Sequence, residues 1–141
     1  MARISVYLNF DGTTEAAFKF YQSIFGGELN RMQRFDGVPG MENLSPELRE
    51  KIMHVELPIG SNLLLHATDA LEAMGHPLTT GNNFHLMIEA ESKAEADGLF
   101  QALSAGGKVE MPLEDVFWGA YYGQLTDKFG VQWMVNYDYP A

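Results

Sequence analysis

Ile4-Ser5-Val6-Tyr7-Leu8-Asn9-Phe10 and Phe84-His85-Leu86-Met87-Ile88-Glu89-Ala90 stand 80 residues apart, and each carries a side-chain period of two. In the first run Ile4, Val6, Leu8 and Phe10 alternate with Ser5, Tyr7 and Asn9, which predicts a strand over Arg3–Phe10 with one apolar and one polar face. The counterpart is Asn83–Ala90. Gly26-Gly27 and Gly106-Gly107 repeat at the same spacing, each pair closing a stretch of helical periodicity. The expectation from two half-domains built alike is a ligand site between them.

Working outward, Ala17, Phe20, Tyr21 and Ile24 form one apolar helical stripe, preceded by the cap-forming residues Asp11-Gly12-Thr13-Thr14. Glu28–Phe35 reads as the second strand. Asp36–Glu50 breaks the pattern with Gly37, Pro39 and Gly40, and Ser45-Pro46-Glu47-Leu48 inside it starts a short helix. Lys51–Ile59 and Asn62–Thr68 are strands joined at Gly60-Ser61 as a hairpin. Asp69–Asn82 is a linking loop containing Gly75, Pro77 and Gly81.

The second half follows the same order. Ser92-Lys93-Ala94-Glu95 is a capping box, and Ala96, Leu99, Phe100 and Leu103 carry the buried stripe of its helix. Lys108–Asp115, Phe117–Thr126 and Val131–Tyr137 follow as strands, with Asp127–Gly130 as the last turn. Aligning Gly60 with Gly130, only 70 residues apart, gives the first half about ten extra residues, and these fall in Asp36–Glu50. The expectation is an α+β domain of two βαβββ modules, residues 1–68 and 83–141 joined by linker 69–82, with each helix on the outer face of a curled, eight-stranded arrangement.

Composition narrows the partners. The 141 residues suffice for one domain with a real core. A formal charge of −10, with no Lys/Arg run, argues against nucleic acid and anionic membrane surfaces. Cysteine is absent, which excludes thiol catalysis, thiolate metal sites and disulfides. No apolar stretch approaches the roughly 20 residues of a membrane span. The N-terminus shows no signal-peptide pattern, so a cytoplasmic location is expected.

The doubled arrangement, together with specific words, resembles the glyoxalase/bleomycin-resistance (vicinal oxygen chelate) superfamily and its PhnB-like branch. The words are Tyr7-Leu8-Asn9-Phe10-Asp11-Gly12, Ala16-Ala17-Phe18-Lys19-Phe20-Tyr21 and Phe25-Gly26-Gly27-Glu28 at the N-terminal end. Phe117-Trp118-Gly119, Tyr122-Gly123, Thr126-Asp127-Lys128-Phe129-Gly130-Val131 and Trp133-Met134-Val135-Asn136 follow at the C-terminal end. The resemblance implies paired βαβββ modules whose sheets form a cup, a homodimer, and in many members a divalent ion held on the first and last strand of each module. Members of the branch are often labelled demethylubiquinone methyltransferase-like. A methyl-donor nucleotide site needs a Gly-rich loop between a parallel strand and a helix, and no such loop is present.

Carried onto this chain, the four ligand positions are His85, its counterpart Ser5, Met134 and its counterpart Leu64. Ser, Leu and Met do not replace imidazole and carboxylate for a hard or borderline ion. The expectation is therefore no metal cofactor, with a slipped ion held by His85 and His66 as the alternative. Asn136 lies on the same strand face as Met134, and His54 on a neighbouring strand. Candidate pocket residues are Tyr7, Asn9, His66, His85, Met87, Glu89, Trp118, Met134 and Asn136, a mixture suited to a small amphipathic ligand. A proton-transfer role is open to His85 or Glu89. Phe117, Tyr121, Tyr122 and Trp133 read mostly as core, and Trp118 as a pocket floor or dimer contact. Three functions follow from the resemblance: a small-molecule binder or altered enzyme with a degraded metal site, a metal-dependent lyase, isomerase or dioxygenase, or a drug-sequestering protein.

Overall fold

A computed structural model describes residues 1–141. Its contacts divide the chain into two units, Met1–Thr79 and Thr80–Ala141. The first contains β1 (Val6–Phe10), α1 (Thr14–Phe25), β2 (Asn30–Arg34), α2 (Pro46–Arg49), β3 (Ile52–Ile59) and β4 (Leu63–Asp69). The second contains β5 (Leu86–Glu89), α3 (Lys93–Ser104), β6 (Lys108–Val116), β7 (Ala120–Thr126) and β8 (Gln132–Asp138). The class is α+β, and the eight strands form two four-stranded sheets, ordered β1-β4-β3-β2 and β5-β8-β7-β6. In each sheet the first and last strands pair in parallel and the other pairs are antiparallel. No helix is long and apolar enough to cross a membrane.

Each sheet buries one face against its helix. In the first unit Leu8, Phe10, Val55, Leu57, Leu65 and Ala67 are buried with Ala17, Phe18 and Tyr21 of α1. Period-two alternation then leaves Tyr7, Asn9, His54, Glu56 and His66 on the opposite face. Trp133, Val135 and Leu125 do the same work in the second unit, with Ala96, Phe100 and Leu103 of α3. Arg34 ties β2 to α1 through two bonds to the Glu15 carboxylate, at 2.9 and 3.1 Å. With Lys19 adding to it, that pair holds the Glu15 carboxyl down to about 2.

Several local expectations are modified. Thr13 stands at the N-cap of α1 but makes no side-chain cap bond; the amide of Thr14 donates instead to Asp69 Oδ1 at 3.0 Å. Asp69 is 55 residues away in sequence, so no local pattern reveals this cap. Ser92 Oγ does accept from the Glu95 amide (3.0 Å), but Glu95 Oε1 reaches the amide of Glu91 (2.9 Å) rather than that of Ser92. The expected linking loop contains a short 3-10 turn, Glu72–Met74, and begins only after Asp69, which closes β4. β1, β5 and β7 each start three residues later than expected, at Val6, Leu86 and Ala120, which leaves Ser5, His85, Phe117 and Trp118 outside the strands.

The counterparts of the two modules also change. Tyr7 registers with His66 in the first sheet, as Met87 does with Met134 in the second. Glu56 faces His66 and Gln124 faces Met134. Both registers make His66, 68 residues before Met134, its structural equivalent, and the assignment of Leu64 is wrong. The cause is the final turn: residues 60–62 connect β3 to β4, whereas residues 127–131 connect β7 to β8. Two extra turn residues displace a glycine-to-glycine alignment by two positions, and in a strand that skips to the next side chain on the same face.

Candidate functional site

The helix-free face of the first sheet gathers the chain's most concentrated polar chemistry. His54 and Glu56 are two apart on β3, and Glu56 lies directly opposite His66 on β4. Tyr7 follows on β1, opposite His66 on its other side. Its ring stacks on the imidazole of His66 at 5.6 Å between centroids and 7° between planes. The Tyr7 hydroxyl and His54 Nδ1 are hydrogen-bonded at 3.2 Å. Burial pushes the Tyr7 phenol up from its ordinary value, so it stays protonated near neutrality.

Glu56 sits between the two histidines. Its Oε1 is 3.4 Å from His54 Nε2 and 3.4 Å from His66 Nδ1. The second contact has the distance of an ion pair but not the geometry of a hydrogen bond, so the buried His66 Nδ1 has no hydrogen-bond partner. The other carboxylate oxygen lies 3.7 Å from Arg31 Nε. Arg31 adopts a left-handed backbone with φ 53°, where β2 and β3 lose regular register. Non-glycine residues occupy that region at a cost of about 1–2 kcal/mol, and they concentrate near functional sites. Beside the cluster a cleft of about 640 Å³ is lined by Arg31, Met32, Gln33, Arg34, Met53 and His54.

The sequence candidates separate into the two units. Tyr7 and His66 meet in the first, and Asn9 registers with Thr68 two residues further along. In the second unit Met87 registers with Met134, and Glu89 with Asn136. Asn136 is buried and donates to Asp138 Oδ1 at 3.0 Å. His85 lies just before β5, half-buried, and Glu89 is exposed at the strand's end. Trp118 is in the turn between β6 and β7, 57% exposed, and packs edge-on against Tyr122 at 6.0 Å. Phe117 is 96% exposed, so the expectation of core packing fails for it and not for Trp133.

Glu56 is absent from the sequence candidates, and His54 stands only at their margin. The pair His54-Val55-Glu56 is nevertheless legible, because residues two apart in a strand share a face.

The superfamily's usual ion can be tested against these residues. With the corrected register its four positions hold Ser5, His66, His85 and Met134. Ser5 is exposed and precedes β1, and Met134 offers a thioether. Two positions thus lack an imidazole or carboxylate, and the set does not fit the ion.

Residues 3–135 match the Glyoxalase/Bleomycin resistance protein/Dioxygenase superfamily. The chain is 31% identical over 142 residues to Protein YjdN of Escherichia coli K12, covering 94% of this chain and 93% of that protein. The structure of protein PA1353 from Pseudomonas aeruginosa superposes with a TM-score of 0.85 at 39% identity, covering 98% of both chains. A Bacillus cereus structure described as a putative 3-demethylubiquinone-9 3-methyltransferase, PhnB protein, superposes with a TM-score of 0.79 at 27% identity, over 96% of this chain and 99% of that one. The repeated module, its sheet order and these matches agree: the chain belongs to the glyoxalase/bleomycin resistance/dioxygenase superfamily, in its PhnB-like branch.

Proposed function

We propose that this protein binds a small molecule on the helix-free face of its first sheet, around Tyr7, His54, Glu56 and His66, without the superfamily's four-position chelate. The observation that carries the reading is the unpartnered His66 Nδ1, held in a half-buried cluster that also presents an aromatic face and a carboxylate. Buried polar groups are nearly always hydrogen-bonded, and an orphan beside convergent donors is a natural contact for a ligand. No cofactor is invoked at Ser5, His85 or Met134, and neither nucleic acid nor a membrane is a partner in this reading.

Screening purified protein against a small-molecule panel by thermal unfolding tests it. A compound at a hundredfold excess over its Kd adds about 2.7 kcal/mol to stability, which reads as a rise of several degrees in Tm. That rise is expected to fall by more than half in Tyr7→Ala and in His66→Ala. Hits that stabilise both variants as well as the parent would place the ligand elsewhere.

The methyltransferase activity in the Bacillus protein's description gains no support from these residues. β1 enters α1 through a turn with the single Gly12, and β5 enters α3 through residues 90–92 without glycine. The Thr14 amide at the start of α1 is already taken by Asp69. Neither strand–helix junction has the glycine-rich loop that brings a nucleotide phosphate onto a helix N-terminus.

A homodimer belongs to the same proposal, supported by the exposed Phe84, Met87, Phe117 and Trp118 of the second unit. Light scattering at micromolar concentration is expected to give twice the mass of one chain; a monomer would rule the dimer out. A cytoplasmic location rests on the sequence reading alone.

A further inference from the structure

We propose that His54, Glu56 and His66 bind one first-row divalent transition ion, using two imidazoles and one carboxylate from a single sheet. The inference rests on the assignment of this face as the ligand site and supplies the chemistry that assignment lacks. One ligand atom from each residue can be chosen so that all three lie within 4.8 Å of one another. Glu56 Oε1 stands 3.4 Å from each of the two histidine nitrogens. Tetrahedral bonds of about 2.0–2.1 Å separate neighbouring donor atoms by about 3.3–3.4 Å. Both separations match an edge of such a tetrahedron. Both are longer than the roughly 2.7–3.2 Å typical of an N–H···O hydrogen bond, and only the His54 contact has a hydrogen bond's geometry.

Each further feature fits an ion better than a self-contained polar cluster. His66 Nδ1 is buried without a hydrogen-bond partner, and a coordinate bond would use its lone pair. With Nδ1–H donating to the Tyr7 hydroxyl oxygen, His54 turns the Nε2 lone pair towards the ion in place of its contact with Glu56 Oε1; support of this kind fixes the tautomer of a ligating histidine. Arg31 contacts Glu56 Oε2 and leaves Oε1 between the histidines. Two imidazoles with one carboxylate select zinc, iron, cobalt or nickel over magnesium or calcium, which prefer all-oxygen shells. Three protein donors leave at least one position open for water or for a chelating oxygen of the ligand.

The second sheet supplies an internal contrast. Register places Tyr122, Gln124 and Met134 where the first sheet has His54, Glu56 and His66. There Gln124 Nε2 donates to the Tyr122 hydroxyl at 2.7 Å, a closed pair without imidazole or carboxylate. The same backbone frame carries two imidazoles and a carboxylate in one module and neither group in the other. Both histidine-bearing strands, moreover, are the third and fourth of one module, whereas the superfamily's set uses the first and last strands of both.

Zinc titration of the metal-stripped full chain, followed by calorimetry, tests the proposal. The expected result is saturation at one equivalent per chain. Glu56→Gln and His66→Ala should each weaken binding by about a hundredfold or more, while His76→Ala, in the exposed loop, binds as the parent does. Cobalt should give a visible d–d absorption that is absent from His66→Ala. If His66→Ala fails to fold, the near-isosteric Glu56→Gln carries the test, with its apo melting temperature as the control. Absence of saturable zinc binding would overturn the site, as would binding abolished by His85→Ala and retained by His66→Ala. Panel compounds that stabilise the stripped protein through Tyr7 and His66, with no zinc binding, would remove the ion and leave the ligand face standing.

Discussion

Asp127→Ala is expected to cost about 3–5 kcal/mol of stability, as much as truncating a large buried apolar side chain of the second unit. Asp127 is buried at the turn between β7 and β8. Its Oδ1 accepts from the amides of Phe129 (2.8 Å) and Val131 (3.0 Å), and its Oδ2 accepts from the Trp133 indole at 2.9 Å. Alanine would orphan all three donors. The two amides, partly buried, regain some bonding from water. The indole of Trp133 is fully buried and does not, so it bears the full desolvation loss of about 1–3 kcal/mol. Asp127→Asn would keep an oxygen for the amides but turn an NH2 towards the indole N–H, so it should lose roughly half as much. Urea unfolding read by Trp133 emission in a Trp118→Phe background measures the shift in midpoint at constant m. A loss under about 0.5 kcal/mol for Asp127→Ala would refute this account of the turn.

That turn also explains where sequence reasoning stops. The alternation of Val6 to Phe10, the helical stripe from Ala17 to Tyr21 and the cap at Ser92 are local, so their periods and spacings expose them directly. Strand register is not local. Which residue faces Met87 or Tyr7 depends on the length of the last turn, and residues 127–131 look in sequence no more like an insertion than residues 60–62 do. The Gly60–Gly130 alignment therefore selects Leu64 where the hydrogen-bonded ladder selects His66. That slip conceals the site, because it sets His66 beside His85 as an ion's ligand rather than beside Glu56 on the adjacent strand. Asp69 is hidden for a similar reason: it accepts from the amides of Thr14 and Ile52, two segments that only the folded sheet brings to it. Trp118 shows the converse limit, since an aromatic residue next to a strand carries no signal of whether a turn will expose it.

Gly107→Ala is expected to destabilise by about 3 kcal/mol or more, and it separates two roles that a Gly-Gly pair hides. Gly106 has φ 75°, the left-handed conformation expected where a helix ends. A Cβ there would meet only the flexible Lys128 side chain, at 3.3 Å, so Gly106→Ala should cost about 1–2 kcal/mol from backbone strain. Gly107 has no positive φ, and its backbone would accept alanine. What it lacks is space: an added Cβ would stand 2.3 Å from the Thr126 carbonyl oxygen and within 2.9 Å of the Asp127 backbone. The overlap is with main chain at the start of the β6–β7 pairing, where Lys108 registers with Thr126, so relief requires β6 to move off its neighbour. Gly98, with open space around it inside α3, supplies the opposite sign: Gly98→Ala should stabilise by about 0.5–1 kcal/mol. Chemical denaturation of the three variants should therefore rank Gly98→Ala above the parent, then Gly106→Ala, then Gly107→Ala. Finding Gly106→Ala the more damaged of the neighbours would mean that helix termination, and not the close approach of β6 to β7, is what the second glycine of the repeat provides.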